Sequence, residues 1–169
     1  MQIDLIGRIT TANNYSRKNM SEDKEITDQA YRSFIEKTAA SKLVWGLYEK
    51  RGWASSHSAE SEDVDLVPLW SERSLAKICA KGDWRGYTPT EIPLTEFLES
   101  WCLDLAENEI MIGVNWDANL MGWEAGALSV ALDILTQLNE IQSAITFSNY
   151  SSIDEFITEV TELLNNDII

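Results

Sequence analysis

From Gly86 to the C-terminus the chain holds no Lys or Arg and 15 Asp and Glu residues. Residues 1–85 hold 13 basic and 13 acidic side chains, so the whole net charge of −15 belongs to the second half. This asymmetry constrains the fold. A carboxylate with no cation nearby in sequence is costly to bury, so it stays in water. Amphipathic elements of the second half are therefore expected to bury apolar residues on one side and show acids on the other. Two segments have that pattern at helical spacing. In 96–107, Phe97, Leu98, Trp101, Cys102 and Leu105 oppose Glu96, Glu99, Asp104 and Glu107. In 152–165, Ile153, Phe156, Ile157, Val160, Leu163 and Leu164 oppose Asp154, Glu155, Glu159 and Glu162, and Ser152 with Glu155 forms a capping box. Brought together, the two outer faces make one large patch of a single sign.

A length of 169 residues with 44% apolar and 24% charged side chains fits one globular domain with a possible appendage. No apolar run reaches the roughly 20 residues that span a membrane. The opening MQIDLIGRIT lacks the apolar core of a signal peptide, because Asp4 interrupts it. These features predict a soluble cytoplasmic protein. Cys79 and Cys102 are isolated thiols among apolar residues, without a C-x-x-C pair, and are expected to be buried and reduced. Direct nucleic-acid binding needs a basic footprint that the acidic half lacks. A basic protein surface is its natural complement. A bland alternative is that the acids only maintain solubility.

The remaining elements follow from periodicity and caps. Residues 1–25 are weakly patterned and read as an N-terminal extension. A helix is expected from about Thr27, as N-cap, to Ala40. Strands are expected at 43–48 and 53–58 around a hairpin ending in Gly52, and at 65–70 with Pro68 demanding an edge or a bulge. Ser71 is expected to cap a helix to about Ala80, with Leu75, Ile78 and Cys79 inward. Pro89 and Pro93 keep 82–94 extended. Thr95 is expected to cap the helix that follows. A buried strand is expected at 109–114, a largely apolar helix at 126–139 and a short strand at 143–147. The resulting class is α+β: a small, mainly antiparallel sheet with helices packed on it and an added C-terminal helix. The core unit is 26–140, and 141–169 is a C-terminal extension.

Three stretches together, VWGLYEKRGWA, LVPLWSERSLAKICAKGDWRGYTPTEIPLTEFLESW and IMIGVNWDANLMGWE, resemble a bacterial family known as domain of unknown function 2750. The likeness covers about residues 26–135 and leaves out the last helix. It rests on the Trp after the first hairpin, the Pro-Leu-Trp-Ser element, the W-x-x-Y-x-P-x-x-I-P-L segment and the Asn-Trp-Asp turn. A fainter similarity to SseB-like proteins runs through the Pro-Leu-Trp-Ser element. The resemblance implies a fold but neither an activity nor a cofactor.

The loop GVNWDANLMGWEAG, 113–126, spaces Asn115, Asp117 and Asn119 like calcium ligands. An EF-hand would need Gly at the sixth position and Glu at the twelfth, and Leu120 and Gly126 stand there. A looser cation site of Asp117, Asn119 and Glu124 stays open beside the simpler reading, a turn in which Asn115 and Asp117 bond local backbone. A third reading makes it a partner-binding loop with Trp116 and Trp123 as anchors. Core and rim packing is the ordinary fate of the seven tryptophans. His57, the only histidine, sits among serines and acids without a G-x-S-x-G. No metal or cofactor is expected, and no catalytic set stands out.

The sequence therefore predicts a binding or regulatory module of an immunity or stress type. It would engage a basic protein through Trp116, Asp117, Trp123, Glu124, Glu155, Glu159 and Glu162. The alternatives are a DNA mimic, and a hydrolase or metal-dependent enzyme using Asp117, Glu124 or His57.

Overall fold

The structure, a computed structural model, describes residues 13–166. Helix α1 (Asn13–Ser41) leads into β1 (Leu43–Glu49), β2 (Gly52–Trp53), β3 (Ser56–His57) and β4 (Asp65–Leu69). Helix α2 (Arg73–Cys79), a 3-10 turn (Gly82–Trp84) and β5 (Thr88–Pro93) follow. Next comes a helix in three parts: α3 (Leu94–Glu96), a π turn (Phe97–Trp101) and α4 (Cys102–Glu107). The chain closes with β6 (Met111–Val114), β7 (Trp123–Ala125), α5 (Ala127–Glu140) and α6 (Ile153–Asn166).

Two sheets result, ordered β2-β1-β5 and β3-β4-β6-β7. All their pairings are antiparallel except β4 with β6. A bridge between Trp45 and Trp70, with both N–H···O distances 2.8 Å, joins the sheets. This is the α+β class expected from the sequence.

Alternation along the strands separates two cores. Val44, Leu69, Ile112 and Val114 face the helices and pack with Phe34, Leu98, Ile134 and Phe156. Leu47, Leu66 and Trp70 face the other way and pack with Ala76, Cys79, Trp84 and Trp116. Helix α6 enters the first core through Phe156 and Val160, as its apolar stripe requires.

Several local expectations change. The first helix is already formed at Asn13, ahead of the expected Thr27 cap and within the stretch read as a weakly patterned extension; residues 1–12 lie outside the described residues. The expected strand at 53–58 is two short pieces in different sheets, because the Ala54 N–H bonds the Leu47 carbonyl before the chain crosses to pair Ser56 with Leu66. Ser71 does not cap α2; Glu72 stands at that position, and Ser71 is held by Asn115 instead. Ile78 points outward, 53% exposed, and Ala76 takes the inner place beside Cys79. Pro93, not Thr95, precedes the next helix. Residues 143–147 form no strand, and the following amides, Ser148 and Asn149, donate to the Glu99 carboxylate at 3.2 and 2.7 Å.

Both prolines of β5 are tolerated because it is an edge strand. Pro68 is tolerated for a related reason. Leu66 and Trp70, two residues either side, turn their backbone away from β6, toward β3 and β1. Pro68 faces the gap between those two partners, where no ladder needs its missing N–H.

Candidate functional site

The floor of the site is built by glycines that make room for indoles. A Cβ on Gly113 would lie 2.6 Å from Cε2 and 2.7 Å from Nε1 of Trp116, and one on Gly122 would lie 2.8 Å from Cδ1 of the same ring. Trp116 is thus clasped between β6 and the loop before β7, and is only 7% exposed. Its ring stacks near Trp84, with centroids 6.5 Å apart and planes 29° apart. Its carbonyl accepts from the Trp70 indole N–H at 3.0 Å. The Cys79 thiol points at the Trp116 and Asp117 carbonyls at 3.4 and 3.2 Å. Burial, and then the Asp117 carboxylate, push that thiol's pKa up, while burial alone raises that of Cys102. Both cysteines are buried and unbridged.

The loop itself is closed by side chains that bond main chain. Asn115, at φ 46°, accepts from the Ser71 N–H at 2.9 Å and donates to the Ala30 carbonyl at 3.2 Å. Its partners are distant in sequence, contrary to the expected local turn. Asp117 does form that turn: its Oδ1 accepts from the N–H groups of Asn119 at 2.8 Å and Met121 at 3.2 Å. Glu124, opposite Gly113 in the sheet, reaches across to the 58–59 segment. It accepts from the Ser58 hydroxyl at 2.6 Å and the Ala59 N–H at 2.7 Å. Asp117 and Glu124 thus hold different backbone segments, 119–121 and 58–59. Among the described residues no three His, Cys, Asp or Glu side chains are placed to hold a metal.

Above this floor lies a cavity of about 320 Å³. The buried indoles of Trp84 and Trp116 line it together with Leu120, Met121 and Gly122, and so do segment 55–57 and the exposed Lys81 and Asp83. His57 Nδ1 stands 3.3 Å from the Asp65 carboxylate at the exposed edge. Of the residues singled out in sequence, the cavity brings together His57, Trp116 and Glu124. Trp123 lies away from it, half-buried, with its ring 5.6 Å from that of Tyr31. Tyr31 in turn hydrogen-bonds Asp133, and burial followed by that carboxylate raises its pKa.

The acidic surface is a second feature, built around Tyr150. That ring stacks on Phe156 at 3.8 Å. Burial, a hydrogen bond with Glu159, and the charges of Glu159, Glu99 and Glu155 push its phenol up to about 12. Carboxylates from the 94–107 helix and from α6 therefore converge at one place. Glu155 also accepts from the Ser151 N–H at 2.6 Å and hydroxyl at 2.7 Å, while the Ser152 hydroxyl accepts from the Glu155 N–H at 3.1 Å. The expected capping box is present, shifted by one residue on its return arm. These bonds hold the Glu155 carboxyl below its ordinary pKa. Glu162 is exposed one turn further on.

Lys81, Asp83 and Tyr150 were not foreseen. Lys81 and Asp83 flank Gly82, where the sequence predicts an extended stretch from 82 onward and the structure instead has the 3-10 turn Gly82–Trp84. Tyr150 lies in a coil that carries no periodic signal.

A family model described as a protein of unknown function (DUF2750) matches residues 31–134. No curated protein and no solved structure matches the chain. No helix among the described residues is long and apolar enough to cross a membrane.

Proposed function

The chain belongs to the DUF2750 family of unknown function, and we propose that it works by binding a basic protein surface. The docking face is the acidic ground around Tyr150, formed by Glu99, Glu155 and Glu159 and continued along α6 by Glu162. One observation carries this reading. The ion pairs among the described residues are Lys37–Glu72 and Arg51–Glu49, beside a His57–Asp65 contact, and none uses a carboxylate of the second half. Three of those carboxylates are instead gathered around one phenol. Such crowding destabilises an isolated fold and is relieved by a cationic partner.

Glu155 is occupied as a cap, so Glu159 and Glu162 are the side chains to reverse without uncapping α6. Trp116 does not serve as an anchor in this reading, because its ring is buried.

The test is capture from native lysate on the wild-type chain and on an E159K/E162K variant, at low and high salt. A basic protein held at 1:1 by the wild type at low salt, and lost both at high salt and on the variant, supports the reading. Identical capture by both chains removes it. Competition of the captured protein by DNA would assign the same surface to nucleic-acid mimicry.

A further inference from the structure

We propose that the cavity over Trp84 and Trp116 binds a free apolar α-amino acid, a small zwitterion with an apolar side chain. Its volume of about 320 Å³ lies at the small end of ligand sites, which run from roughly 300 to 1,000 Å³. The base is apolar and aromatic, with Leu120 beside the two indoles. Leu120 holds φ 57°, a conformation costly for a branched side chain, and it does so at the cavity wall.

The rim specifies charge. Gly82, at φ 58°, turns the chain so that the residues on both sides of it, Lys81 and Asp83, line the same opening. Neither forms an ion pair among the described residues. A bare anion entering here would meet Lys81 but also Asp83 and Glu124. A bare cation would meet Asp83 but also Lys81, while both Glu124 oxygens are already taken. A ligand bearing one charge of each sign satisfies both: its carboxylate pairs with Lys81, its ammonium with Asp83, and its side chain covers Trp84 and Trp116. Ser55 and Ser56 line the same cavity. Glu124 is a wall and not a ligand group, because both its oxygens accept from Ser58 and Ala59. The inference is independent of the acidic surface around Tyr150, and either can fail alone.

The test uses the full chain, tryptophan fluorescence and thermal shift. The probes are L-leucine, L-methionine and L-phenylalanine. The controls are 3-methylbutylamine and 4-methylpentanoic acid, which are leucine without its carboxylate and without its ammonium. At least one amino acid is expected to give a saturable response below about 10 mM, with the controls weaker by about tenfold or more. Lys81→Met and Asp83→Asn change exposed side chains, so the free protein's Tm stays put while amino-acid binding weakens by about tenfold. The proposal is overturned by no saturable response to any of the three amino acids. It is equally overturned by controls that bind as well as leucine, or by variants that bind it undiminished.

Discussion

Replacing Gly113 by alanine tests how the floor of the cavity is built. The new methyl carbon would sit 2.6 Å from Cε2 and 2.7 Å from Nε1 of Trp116, and 2.8 Å from Cδ2 of Leu66. Leu66 has no room to retreat, and the Trp116 ring can give way only into the cavity that it lines. Leu66 is fully buried, and Gly122 already lies close against Cδ1 of the same indole. Forcing an extra carbon into such packing costs about 1–3 kcal/mol, and here the rigid ring places it near the top of that range. The alanine returns about 0.4–1 kcal/mol by stiffening the unfolded chain. The net expectation is a loss of about 2 kcal/mol, or a fall in Tm of roughly 4–8 °C for a domain of this size. Urea unfolding followed by near-ultraviolet circular dichroism reports both the loss and the displaced indole. Gly126→Ala is the control: its nearest neighbour would be the Ser129 hydroxyl at 4.0 Å, so it should stay within about 0.5 kcal/mol of wild type. Equal stability of the Gly113 and Gly126 variants would refute the claim that the glycine exists to seat Trp116.

Three further outcomes are expected. Asn115→Ala leaves the Ser71 N–H, at a residue 3% exposed, without its acceptor and puts alanine at φ 46°; stability should fall by about 2–4 kcal/mol in urea unfolding, and a loss under about 1 kcal/mol would contradict the bond's role. Glu155 has a folded pKa below its ordinary 4.5, so its contribution is complete above that value and disappears as pH falls through the lower, folded one. Glu155→Gln should remove that acid-side dependence, which stability measured down a pH series will show. Tyr150 has the opposite sign: its pKa is raised from 10 to about 12, so its contribution is complete below 10 and disappears as pH rises through about 12. In an ultraviolet titration, the difference between wild type and Tyr150→Phe should place this phenol well above 10, and Glu159→Gln should bring it down.

How far the sequence reaches depends on whether the information is local. Helix α6 was readable because its cap, stripe and acid face lie within fourteen residues, and α5 because its apolar positions recur at helical spacing. The ends of other helices were harder. Lys42, Glu109 and Gln142 follow α1, α4 and α5 in the left-handed conformation, so no glycine marks those stops. Ser71 followed by Glu72 looks like a helix start, and only the position of Asn115, 44 residues later in sequence, shows where that serine is used. The three-residue strand β7 and the sheet switch at Ala54 are too short for any period to register.

The site divides in the same way. The acid-only half was visible as composition, and the structure supplies what composition lacks, namely that Glu99 and α6 meet at Tyr150. The 113–126 loop drew notice through its residue types. Its tryptophans and acids are spent on holding the loop, while the open space above them is edged by Lys81 and Asp83, whose sequence context is ordinary.

The most direct test of the binding account is the salt-dependent capture made with the wild type and the E159K/E162K chain side by side. Electrostatic screening shortens from about 10 Å at 0.1 M salt to about 3 Å at 1 M, so an acidic docking face must lose its partner across that range. The account predicts a basic protein bound by the wild type at low salt only, and not by the variant at any salt. Capture that is indifferent to both salt and charge reversal would contradict it.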